Sequence, residues 1–88
     1  MSDFSVSIVT YKNEIEELKK LIYNIALNNS SFKLYIIDNS PTDDLSRIRT
    51  LKNVIYIHNP SNPGFGSAHN VAIKKAIKDG SKYHFIVN

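Results

Sequence analysis

"KLYIIDNSPTDD", Lys33 to Asp44, passes from a lysine into four apolar or aromatic residues in a row, Leu34 to Ile37, and then meets a carboxylate. A strand with one wet face alternates apolar and polar residues. A run that does not alternate needs cover on both faces, which a parallel sheet between layers of helix supplies. Working outward, "FSVSIVT" (4–10), "VIYIH" (54–58) and "YHFIV" (83–87) are short runs rich in β-branched and aromatic residues, and with "KLYIID" (33–38) they read as four strands.

The segments between the strands carry helical spacing. Ile15, Leu18, Leu21, Ile22, Ile25 and Ala26 recur every three or four residues, with Asn13 and Glu16 placed as N-cap and N3 of a capping box, so a helix is predicted over about 14–28. In the second connection Ser40 suits an N-cap and Pro41 the first helical position, and Leu45, Ile48 and Leu51 give a narrow stripe for a short helix. A third helix is predicted over about 67–79 with Ser67 as N-cap, Ala68, Val71, Ala72 and Ala76 inward, and Gly80 as its stop. The order is β-α-β-α-β-α-β. Right-handed crossovers then favour one domain, residues 1–88, with a parallel four-stranded sheet in the order 3-2-1-4. In such a three-layer, Rossmann-like sandwich, ligands bind in the crevice at the carboxyl ends of the strands where the winding reverses, here between strands 1 and 4.

Composition narrows the function classes. With no cysteine, the chain has neither disulfides nor Cys-based zinc sites, and no apolar run approaches the ~18 residues that span a bilayer. The N-terminus lacks the basic and small-residue features of a signal peptide, so a cytoplasmic location is the expectation. Lys and Arg exceed Asp and Glu by 11 to 8, a net +3 spread as single residues and pairs, which argues against a nucleic-acid-binding stripe.

Every strand is followed by polar residues: Thr10 and Tyr11, Asp38 and Asn39, Asn59, and Asn88. Asp38 stands where nucleotide-binding α/β folds place a carboxylate that accepts hydrogen bonds from a ribose or base, and an Asx-turn or cap would satisfy it equally. Tyr11 offers a ring on which a base can stack, or a partly buried loop aromatic. The loop "NPSNPGFGSAHN" (59–70) is neither a P-loop nor a dinucleotide fingerprint. Its prolines, Pro60 and Pro63, end the strand and stiffen the loop, while Gly64 and Gly66 permit positive φ and a close backbone approach. The N–H groups that start the third helix point into the same crevice and suit a negative group, or the loop is a plain strand-to-helix turn. His58 and His84 suit structural roles, His69 is placed to face the crevice, and the three show no metal spacing.

In order and spacing, "VSIVTYKN", "YIIDNSPTD" and "NPGFGSAHNVAI" resemble the N-terminal half of family 2 glycosyltransferases of the GT-A fold, closest to rhamnosyltransferase-like enzymes of cell-surface polysaccharide synthesis. The resemblance implies a UDP- or dTDP-sugar donor held by Thr10, Tyr11, Asp38, Asn39, Asn62, Gly64, Gly66, His69 and Asn70. It also implies a saccharide or lipid-linked saccharide acceptor, met at the inner face of the membrane. The family's metal-binding acidic motif follows the fourth strand, and the sequence stops at Asn88, its first letter. The expectation is therefore a truncated GT-A fold, the donor-nucleotide half. The Mg²⁺ or Mn²⁺ of a complete enzyme would have no ligand in these residues, no catalytic residue is assigned, and the chain alone is expected to be inactive. A non-catalytic nucleotide-binding or interaction module is the competing reading. The edge of 83–87 is expected to pair with a second copy of the chain.

Overall fold

The computed structural model describes residues 4–28, 31–60 and 64–87, so Asn62, Pro63 and Asn88 lie outside the described residues. Along the chain run β1 (Phe4–Thr10), α1 (Ile15–Asn28), β2 (Lys33–Asp38), a 3₁₀ helix (Ser46–Thr50), β3 (Val54–His58), α2 (Phe65–Lys78) and β4 (Tyr83–Val87). The strands form one parallel sheet in the order β3-β2-β1-β4. All four strands occupy the segments expected from their apolar runs.

Because side chains alternate across a strand, β2 feeds two cores at once. Leu34 and Ile36 join Val6, Ile8, Leu18, Ile22 and Ile48 on the α1 side, while Tyr35 and Ile37 join Val9, Ala68, Ala72 and Ala76 under α2. All four β2 residues are fully buried, and burying an aliphatic side chain of this size contributes about 1.5–3 kcal/mol. The alanines recur every four residues, one turn apart, and leave α2 without bulk on its sheet-facing stripe. Gly80, at φ 88°, ends α2: its N–H donates to the Ile77 carbonyl and the Ser81 N–H to the Ala76 carbonyl, the paired bonds of a Schellman stop.

Five expectations are corrected. The second connection holds a five-residue 3₁₀ helix instead of an α-helix, and Ser40 caps nothing there, since its hydroxyl accepts the Lys12 N–H at 2.6 Å. Asn13 turns its carboxamide oxygen back to the Tyr11 N–H at 2.8 Å. Helix α2 starts at Phe65 with Gly64 as N-cap and no side-chain cap, so Ser67 already lies inside it. Val71, expected inward, is exposed, because the inward stripe follows Ala68, Ala72 and Ala76 one full turn apart.

Candidate functional site

The parallel register aligns Thr10 with Asp38 and Asp38 with His58, so the carboxyl ends of β1, β2 and β3 finish in one row. Two backbone bonds extend that row past the strands: Asn39 N–H to the Thr10 carbonyl at 2.8 Å and Asn59 N–H to the Asp38 carbonyl at 2.7 Å.

Asp38 is the centre of the row. Its Oδ1 accepts from the Thr10 hydroxyl at 3.1 Å and from the Ser40 N–H at 3.0 Å, and its Oδ2 accepts from the Tyr56 hydroxyl at 2.6 Å. The contact to the N–H two residues on is the Asx-turn foreseen for this residue. Burial on its own would raise the carboxyl pKa, but the hydrogen bonds from Tyr56, Ser40 and Thr10 outweigh it and hold the group below the usual carboxylate range. Tyr56 responds in the opposite sense, its phenol pushed up by burial and by the neighbouring carboxylate. Asp38 is therefore an anion at neutral pH, inside the protein, with one acceptor position of Oδ2 left over.

Ser40 ties three segments together. Its N–H reaches Asp38, its hydroxyl receives the Lys12 N–H, and its carbonyl accepts the His58 Nε2–H at 2.8 Å. Lys12 has φ 54°, a left-handed conformation uncommon for a side-chain-bearing residue, and its bond to Ser40 holds the β1–α1 turn there. This arrangement borders a cleft of about 330 Å³ whose walls include Lys12, Asn13, Asp38, Ser40, Thr42 and Asp44.

The predicted residues fall into two groups. Thr10, Asp38 and Asn39 are buried in the row, and Asn39 Oδ1 is a buried oxygen with no hydrogen-bond partner. Tyr11 is 43% exposed at the rim, with the Lys12 ammonium 5.4 Å from its ring centroid. Gly64 has the expected positive φ, 100°. Gly66 does not, because it lies within α2, where the helix fixes its backbone. Asn70 is exposed on α2, whereas His69 is 5% exposed and engages Ser7 by Nδ1 at 2.7 Å.

Sequence reasoning missed Ser40, Tyr56 and Lys12 as members of the frame, while His58 takes the structural role expected of it. For Tyr56 a signal existed: a hydroxyl in an apolar run, two residues before the end of the strand next to Asp38.

Among the described residues no three of His, Asp and Glu converge to hold a metal ion, and no step is assigned to one. Nor, among them, is any helix long and apolar enough to cross a membrane. Comparison with curated proteins and with solved structures gave no significant match. Residues 5–87 do match the sequence pattern of Glycosyl transferase family 2. That match spans nearly the whole chain, and it joins the parallel 3-2-1-4 sheet to the polar row at its strand ends: the chain belongs to glycosyl transferase family 2.

Proposed function

We propose that the chain is the donor-nucleotide half of a family 2 glycosyltransferase and binds a UDP- or dTDP-sugar at the carboxyl ends of β1 and β2. The observation that carries this reading is Asn39 Oδ1. A buried carbonyl oxygen without a partner costs roughly 1–3 kcal/mol, and a ligand N–H in the crevice would relieve it. The imide N–H of uracil or thymine is such a donor. Tyr11 at the rim supplies a face for the base. Asp38 supplies the rigid floor and its one remaining acceptor position.

At the other side of the crevice, Gly64 brings the chain into α2 without a side-chain cap, and the N–H groups of Phe65, Gly66 and Ser67 at that helix start are suited to the diphosphate. The transfer itself forms a bond from an acceptor hydroxyl to the anomeric carbon and breaks the bond to the diphosphate oxygen, with the acceptor proton leaving. The described residues contribute donor binding and orientation to that exchange. Rhamnosyl-type donors and a cell-surface saccharide acceptor are the specific substrates proposed, and the chain alone is proposed to release no sugar.

The test is a ¹⁵N-amide NMR titration of the 88-residue chain with UDP, dTDP and ADP. Shifts confined to residues 10–12, 38–40 and 64–70 with the pyrimidine nucleotides, and weakened by Asn39→Ala, are expected. No response, or the same response to ADP, would sink the reading. Release of UDP from UDP-sugars above background by the chain alone would refute the part that denies it turnover.

A further inference from the structure

On the α2 side of β1, two buried serines stand on a face that is otherwise apolar, and imidazoles meet both. Ser5 Oγ lies 2.6 Å from His84 Nδ1, while Ser7 Oγ lies 3.0 Å from His84 Nε2 and 2.7 Å from His69 Nδ1. Outside them, Ser81 Oγ is 3.0 Å from Ser5 Oγ and 2.8 Å from the Tyr83 carbonyl. One line of polar atoms thus joins the turn after α2, strand β4, strand β1 and the first turn of α2.

Proton counting limits what this line tolerates. A hydroxyl has one proton to give, and a neutral imidazole donates from one nitrogen and accepts at the other. The line closes if Ser5 donates to His84 Nδ1, His84 Nε2–H donates to Ser7, and Ser7 donates to His69 Nδ1. It also closes in reverse, with Ser5 donating to the Tyr83 carbonyl at 3.4 Å. A protonated His84 donates from both nitrogens, and Ser5 then passes its own proton to Ser81 Oγ, which donates in turn to the Tyr83 carbonyl, so a single charge still leaves the line closed. If both imidazoles are charged, Ser7 receives two N–H groups and two cations share one hydroxyl. The hydrogen bonds of the line close with no proton added or with one, and a second charge is opposed.

On the His84 side, the described carboxylate is already engaged by other groups. From β2 the Tyr35 ring stands 6.4 Å from the His84 ring. Its hydroxyl donates to Asp79 at 2.6 Å, and Asp79 is further engaged by Lys33 at 3.6 Å and by the field of Lys75.

We propose that His69, Ser7 and His84 form a proton-operated clamp that, when neutral, fixes the first turn of α2 and strand β4 to β1, and that loosens on acidification. Burial, and then the charge on His69, hold the His84 imidazole below its ordinary value. A histidine whose folded pKa is depressed binds protons better in the unfolded chain. Its stabilising effect is complete above the unfolded value of about 6.5 and declines as pH falls through that value toward the folded one.

The test is an imidazole ¹⁵N NMR titration of the whole chain, paired with denaturant midpoints at about pH 7.5 and 5.5, the range in which histidine changes charge. His84 is expected to show one protonated nitrogen at high pH, to titrate below free histidine, and to titrate higher in His69→Gln. The midpoint should fall on acidification, and fall less in His84→Gln. The proposal is overturned if His84 titrates at or above the free value, if His69→Gln leaves it unmoved, or if His84→Gln keeps the full pH slope. Should His84→Gln not fold, the wild-type titration and His69→Gln still decide.

Discussion

Replacing Asp38 separates the frame of the site from its ligand contacts. In Asp38→Ala the Thr10 hydroxyl and the Ser40 N–H lose their acceptor inside the protein, while the half-buried Tyr56 hydroxyl can turn to water. Two buried donors left unpaired at about 1–3 kcal/mol each give a loss near 4 kcal/mol. A chain of this length is stable by roughly 4–13 kcal/mol, so the loss is a large share of the whole. Asp38→Asn keeps an oxygen for Thr10 and Ser40, and its amide can donate to a rotated Tyr56 hydroxyl. It forfeits only the charge, about 1–2 kcal/mol. The pH dependence has a definite sign. The folded pKa of Asp38 is lowered, so the carboxylate's contribution is present above the unfolded value of about 3.9 and lost as pH falls through the folded value. Urea unfolding of the three proteins between neutral pH and pH 3 is the assay. Asp38→Asn should lose part of the acid slope, with the slope due to Asp79 unchanged. An Asp38→Ala protein within about 0.5 kcal/mol of wild type would refute the reasoning, because buried hydrogen-bond donors cannot lose their only acceptor at so little cost.

Four further outcomes follow from single positions. Gly64→Ala, at φ 100° with no atom within 4 Å of the added carbon, should cost about 1–3 kcal/mol of backbone strain in a denaturant melt. The helical and equally uncrowded Gly66→Ala should gain about 0.5–1 kcal/mol in the same melt. Ala72→Leu places a branched side chain between α2 and the buried Tyr35–Ile37 face and should cost about 1–3 kcal/mol by overpacking, with a melt near wild type counting against the close approach of α2. Tyr83, Phe85 and Ile86 are exposed on an edge strand, and Phe85 meets Phe4 edge-on at 5.9 Å. Pairing of two copies along β4 should therefore appear in sedimentation as concentration-dependent association that Phe85→Lys abolishes.

What the sequence made legible, and what it hid, follows from the range of the interactions involved. The strands were readable because a run such as Leu34 to Ile37 has one physical explanation, cover on both faces, and the parallel order follows from it. The second connection misled because Leu45, Ile48 and Leu51 recur at a strict interval of three. That is the period of a 3₁₀ helix as much as one arc of an α-helix, and Ser40, the expected cap, was needed by Lys12 instead. Local preference placed the start of α2 at Ser67, but a glycine free to take φ 100° sets it at Gly64.

The site divides along the same line. Asp38 announced itself by ending a strand, whereas Tyr56, His58 and Lys12 contribute through partners 18 to 28 residues away. Ser5 and Ser7 show the limit most sharply. In "FSVSIVT" they alternate with apolar residues, and both are fully buried. What makes that burial tolerable are imidazoles 62 and 79 residues further on, at His69 and His84. A serine alternating with valine means solvent only if no distant donor or acceptor comes to meet it. The polar core of this sheet is a property of its topology, since the crossover that brings α2 and β4 to β1 delivers His84 to both hydroxyls and His69 to that of Ser7.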